Sequence, residues 1–111
     1  MNNLHLSKEA QNDLAEIKAY ITEELENPDA ALATISRITK KIRVLKNQAY
    51  VGTPLSSIAD TESDYRFLVS GNYLMFYRAY GKDVYIDRVL YGRRDYMRIL
   101  FGDVQSDETD E

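Results

Sequence analysis

The chain has 111 residues, with 14 lysines and arginines against 18 aspartates and glutamates, one histidine and no cysteine. At 44% hydrophobic and 29% charged it has an ordinary globular composition, and its length suits one domain that folds without a staple. Disulfide scaffolds, thiolate metal sites, cysteine nucleophiles and histidine-rich metal sites are excluded, and no cofactor or metal is expected. No apolar run approaches the ~18 residues of a membrane span, and residues 1–8 lack a charged segment followed by an apolar stretch. A cytoplasmic protein with no membrane partner is therefore expected. Gly52, Gly71, Gly81, Gly92 and Gly102 are isolated, so neither a phosphate-cradling loop nor a dinucleotide fingerprint is present.

The net charge of −4 conceals a split. Residues 1–36 carry Lys8 and Lys18 against seven acids, residues 37–102 carry twelve bases against six acids, and residues 103–111 carry five acids and no base. Such a split suits an acidic partner or nucleic acid, and equally an unevenly charged solvated surface.

Leu4-His5-Leu6 reads as a short first strand, in which His5 takes a surface or edge position. Ser7 is a helix N-cap with Glu9 in the first turn, and Ala10, Leu14, Ile17, Ile21 and Leu25 form one helical stripe. Asn27 caps a second helix with Pro28 at its first position, and Ala31, Ile35, Ile38, Ile42 and Leu45 form its stripe beside Leu32. Two helices of about five turns with so short a link predict an antiparallel hairpin. Lys40, Lys41, Arg43 and Lys46 complement the negative end of the second helix. Residues 47–64 read as a connecting loop. Residues 65–69, 73–80 and 84–91 read as three strands joined by tight turns at Ser70-Gly71-Asn72 and Gly81-Lys82-Asp83, an antiparallel meander. Residues 94–101 form a short last helix, and the acidic segment 103–111 is expected to be a disordered tail that solubilises, repels nucleic acid or mimics it. The predicted fold is α+β, a single domain over 1–102 of order β-α-α-β-β-β, with the helix hairpin packed on a curved, mainly antiparallel sheet.

The meander interleaves arginines with tyrosines: Tyr65, Arg66, Tyr73, Tyr77, Arg78, Tyr80, Tyr85, Arg88, Tyr91, Arg93, Arg94 and Tyr96. This composition suits nucleic acid, where arginine pairs with phosphate and tyrosine stacks on bases. It also suits a protein interface, and tyrosines simply filling one face of a sheet. Gly71-Asn72-Tyr73-Leu74-Met75-Phe76-Tyr77-Arg78, then residues 84–88, then Val89-Leu90-Tyr91-Gly92-Arg93-Arg94-Asp95-Tyr96 resemble the C-terminal half of the RelE/ParE toxin superfamily. Residues 7–14, Asn27-Pro28, Ala30-Ala31 and Gly52-Thr53-Pro54-Leu55 agree with its front half, so the resemblance covers residues 4–101.

The resemblance implies the toxin of a type II toxin–antitoxin module, linked to growth inhibition and plasmid stabilisation. It implies a cognate antitoxin, encoded by an adjacent gene, that wraps the toxin with a partly helical segment. RelE-like members cleave mRNA in the ribosomal A site, and ParE-like members poison DNA gyrase. The nuclease branch commonly places an arginine where this chain has Leu74, and often a histidine where it has Tyr91. Arg94 matches the recurring last-strand arginine and Tyr96 lies near the C-terminal tyrosine. The long helix hairpin is also closer to ParE-like members. The ParE-like reading is favoured, with Arg93, Arg94, Arg78 and Arg66 contacting gyrase. Leu74 with Phe76 lengthens an apolar row that suits a protein-binding groove, so Leu74, Phe76, Tyr96, Ile99, Leu100 and Phe101 are expected to receive the antitoxin. Whether the protein is an enzyme is left open. The alternative is a ribosome-dependent mRNA endonuclease in which Arg94 holds the scissile phosphate and Tyr91 or Tyr96 moves the proton. A tyrosine, ordinarily near pKa 10, is a poor base unless arginines depress it. A third reading is a weakly toxic or inactive relative that binds antitoxin.

Overall fold

The computed structural model describes residues 1–59, 62–92 and 96–102. The first strand, β1 (Asn3–Leu6), leads straight into α1 (Lys8–Ala19). Ser7 makes this junction. Its Oγ accepts the Ala10 N–H at 2.9 Å and donates to the Asp87 carbonyl at 2.8 Å, while its own N–H donates to the Ile86 carbonyl at 3.0 Å. A single N-cap thus starts the helix and ties it to the sheet.

The first arm of the hairpin is shorter as an α-helix than its apolar stripe predicts. From Tyr20 to Glu24 it relaxes into a π-helical turn, in which the Leu25 N–H reaches the Tyr20 carbonyl at 3.3 Å. Glu26, at φ 51°, closes the turn. One consequence is that Leu25 leaves the stripe and is 55% exposed, while Ile21 stays buried. The second arm, α2 (Pro28–Val44), begins as expected, with Asn27 Oδ1 accepting the Ala30 N–H at 3.1 Å and proline in the first turn.

The predicted loop contains two short elements. β2 (Thr53–Pro54) pairs antiparallel with β3 (Arg66–Ser70), and a 3₁₀ turn (Leu55–Ser57) follows it. Proline suits this edge strand, where no ladder donor is lost. β3, β4 (Tyr73–Tyr80) and β5 (Asp83–Tyr91) form the expected meander, and Gly71 and Gly81 supply the positive φ of its two-residue turns. β1 adds to β5 in parallel, giving a five-stranded mixed sheet of order β1-β5-β4-β3-β2. The chain ends its described part with α3 (Tyr96–Phe101) and Gly102. The predicted acidic tail, 103–111, lies outside the described residues. No helix among the described residues is long and apolar enough to cross a membrane.

Alternation along β4 sends side chains into two cores. Met75 and Tyr77 join Val84, Ile86 and Val89 of β5 beneath Ala10, Ile38, Ile42 and Leu45 of the hairpin. Phe76, with Leu90 and Leu55, is buried on the other face, where Tyr96, Met97, Ile99 and Leu100 of α3 pack against it. Tyr77 brings a hydroxyl into the first core, and the Gly52 N–H donates to it at 2.8 Å, so its polar end is satisfied.

Candidate functional site

On the sheet face away from the hairpin, Leu74, Phe76, Arg78 and Tyr80 alternate outward along β4. The apolar part of this row does not stand open, contrary to the groove expected from sequence. Phe76 is fully buried, with the Tyr96 ring 5.3 Å from its own, and Leu74 is partly buried in the same cluster. Ile99 and Leu100 are half-buried there, and Phe101 meets the Tyr65 ring edge-on at 5.8 Å. The chain's own α3 covers the face, because both faces of β4 are apolar and each needs a cover.

Beyond α3 the face becomes polar. The ladder between β4 and β5 slips at Phe76/Tyr77, where Ile86 and Arg88 oppose successive residues of β4 and Asp87 is left over as a bulge. The Asp87 carboxylate accepts the Tyr65 hydroxyl at 2.9 Å. Arg78 Nε stands 2.9 Å from the same oxygen without the alignment of a hydrogen bond, so charge holds that contact. The guanidinium also lies 5.4 Å from the Tyr65 ring centre and 6.0 Å from that of Tyr80. Burial, with the Asp87 carboxylate behind it, pushes the Tyr65 phenol up to about 12, so Tyr65 cannot serve as a base at neutral pH.

Of the four arginines expected to contact a target, Arg78 is thus engaged by Asp87. Arg66 donates to the Gly52 and Tyr50 carbonyls at 2.8 and 3.2 Å and lies 5.1 Å from the Tyr50 ring centre. Both hold their own chain together. Arg93 and Arg94 lie outside the described residues.

The two tyrosines offered for proton transfer occupy opposite faces of the sheet. Tyr91 stands across from Tyr73 in the ladder, their rings 5.8 Å apart and edge-on, on the hairpin side. Tyr96 packs on Phe76 on the other side. Burial, with Tyr91 and Tyr20 adding to it, also raises the Tyr73 phenol, so Tyr73 is no base either.

Sequence reading missed Asp13. It is buried on α1, with Oδ2 accepting Arg88 Nε at 2.8 Å and the Val89 N–H at 2.9 Å, and Oδ1 accepting an Arg88 terminal N–H at 2.8 Å. The signal available was its place in the stripe, three residues after Ala10 and four before Ile17. His5 takes the edge position expected of it: exposed, 3.0 Å from Asp83 and stacked on Tyr85 at 4.8 Å. That contact holds the Asp83 carboxyl below its ordinary range.

Where the tip of the hairpin diverges from the ends of β4 and β5, a groove of about 740 Å³ opens, with Tyr73 and Tyr91 in its wall. Among the described residues Tyr91 lines it and none of α3 does.

Residues 4–96 match the ParE toxin of the type II toxin–antitoxin system, parDE. In fold the chain is similar to a chain of the chromosomal ParDE toxin–antitoxin system from P. aeruginosa, at 24% identity and a TM-score of 0.67, covering 80% of this chain and 94% of that one. It is also similar in fold to YafQ from E. coli strain BL21(DE3), at 16% identity and a TM-score of 0.51, covering 92% of this chain and 100% of that one. A search among curated protein sequences returns no match.

Proposed function

The chain belongs to the ParE toxin family of type II toxin–antitoxin systems, and from that premise we propose that it inhibits growth by binding DNA gyrase as a protein target. Membership implies an antitoxin partner. The observation that carries the choice of target is the separation of Tyr91 from Tyr96 across the sheet. Cleavage by attack of a ribose 2′-oxygen needs a base and an acid on either side of one phosphate. Two tyrosines on opposite faces are not placed as a base–acid pair on one phosphate, so a nuclease would work with only one of them beside Arg94. Leu74 and Tyr91, where the nuclease branch carries arginine and histidine, support the same reading.

The test is to incubate purified toxin with gyrase, relaxed plasmid and ATP, and to read supercoiling and linear DNA on a gel. Loss of supercoiling with accumulation of linear DNA is the expected result. Folded, antitoxin-competent protein that leaves supercoiling untouched at excess overturns the proposal and favours the ribosome. There, Arg94→Ala is expected to abolish mRNA cleavage while sparing antitoxin binding.

A further inference from the structure

We infer that the acidic segment 103–111 docks on the basic outer face of α2, so that the chain covers its own excess of positive charge. The occupant lies beyond the matched residues 4–96, and the inference does not depend on the target proposed above.

Residues 30–59 carry Arg37, Lys40, Lys41, Arg43 and Lys46 and no acid. Ile38, Ile42 and Leu45 turn to the core, and all five bases are exposed. Among the described residues no carboxylate comes within ion-pair distance of any of them. Complementing the helix dipole accounts for Lys41 and Arg43 in the last turn of α2, but not for Arg37 and Lys40, which stand further back. The other bases have acids of their own. Asp87 faces Arg78, Asp13 holds Arg88, and Lys8 and Lys18 lie among the seven acids of residues 1–36. The outer face of α2 is therefore a cationic surface without counterions from the rest of the fold.

Segment 103–111 has the complementary charge: Asp103, Asp107, Glu108, Asp110 and Glu111, with no base. It also starts at the right end of the molecule. Phe101 meets the Tyr65 ring at 5.8 Å, next to Arg66, which opens β3. Arg66 in turn donates to the Tyr50 and Gly52 carbonyls, a few residues beyond the end of α2. The chain thus leaves α3 near the sheet edge that carries these residues. The molecule is 23 Å across its shortest axis. Nine residues span up to roughly 30 Å when extended, enough to pass that edge and reach α2. A single exposed ion pair is weak, but tethering gives the segment a local concentration of about millimolar, and five acids against five bases act together. With the segment in place, an outside polyanion meets this face only by displacing it.

Zero-length carbodiimide coupling, which joins a carboxylate to an amine in direct contact, tests this on full-length protein at micromolar concentration. Lys40, Lys41 and Lys46 lie on or just beyond α2, and Lys8, Lys18 and Lys82 lie elsewhere, all exposed. In the monomer band at about 50 mM salt, links from 103–111 are expected at the first three lysines at least ~tenfold more often than at the others. The preference is expected to vanish at about 1 M salt, where charges are screened beyond about 3 Å. Links spread evenly over the six lysines overturn the inference. Links confined to a dimer band give the face to the segment of a second copy and overturn it as well. Cleavage after Glu108 by a glutamyl endopeptidase is the second measurement. The combined variant Lys40→Glu, Lys41→Glu and Lys46→Glu, with an unchanged thermal melt, is expected to be cut there at least ~tenfold faster, because the undocked population is what the protease meets. The equally charged Lys8→Glu, Lys18→Glu and Lys82→Glu variant is expected to stay within about twofold of wild type. Equal rates in all three proteins overturn the inference even where coupling yields no links.

Discussion

Asp13 shows how one residue can be held by its surroundings and hold them in turn. Its carboxylate is buried and receives three hydrogen bonds, two from Arg88 and one from the Val89 backbone. Removing one partner of a buried pair leaves the other charge uncompensated, which outweighs the modest net value of the pair. Asp13→Ala is expected to lower the unfolding free energy by about 3 kcal/mol, because both the Arg88 guanidinium and the Val89 N–H are orphaned. Asp13→Leu combined with Arg88→Met is expected to recover part of this, since only the N–H stays unpaired. Urea unfolding of the single and double variants is the measurement, and a double variant no more stable than Asp13→Ala contradicts the account. The pair was not legible in sequence. Ser7 and Asn27 act on groups three residues away, and local rules find them. Asp13 and Arg88 stand 75 positions apart, so no local rule joins them. For the same reason, reading Arg66 and Arg78 as arginines available to a target overlooked the Tyr50 and Gly52 carbonyls and Asp87.

At the scale of elements, periodicity identified the hairpin and the meander, and turn chemistry joined them correctly. It could not say which face of the sheet each cover would take. The row Leu74 and Phe76 reads identically whether a partner or the chain's own α3 lies over it, and here α3 does. The π-helical turn escaped for a related reason: an extra residue per turn leaves the apolar spacing nearly unchanged while it rotates Leu25 outward. The cover itself can be tested. Leu100 is half-buried against the Phe76 cluster, and Leu100→Asp places a charge there. Undocking of α3 is expected to cost about 1–2 kcal/mol and to expose Phe76 and Leu90, while the hairpin side of the sheet remains packed. The readouts are a rise in the fluorescence of a dye that binds apolar surface and faster amide exchange confined to β4, β5 and α3. Unchanged dye binding and exchange mean that α3 does not cover this face in solution.

For the whole molecule, charge is arranged in blocks that the fold turns into regions. The acidic residues 16–29 surround the hairpin tip, and Lys40, Lys41, Arg43 and Lys46 lie toward the other end of α2. Residues 103–111 add five acids to this distribution. Without them the chain has 14 bases against 13 acids, a net charge of +1 instead of −4. Non-specific affinity for DNA follows the number of phosphates neutralised, and acids of the protein's own compete with those phosphates. Ending the chain at Gly102 is therefore expected to create weak binding to a random-sequence duplex at about 50 mM salt that disappears by about 200 mM, where full-length protein binds at neither. Fluorescence anisotropy of a labelled duplex measures this directly. Replacing the five acids with their amides, at unchanged length, must reproduce the truncation if charge is the cause. A truncated chain that binds DNA while the amide variant does not assigns the effect to the length of the segment and removes electrostatics as its role.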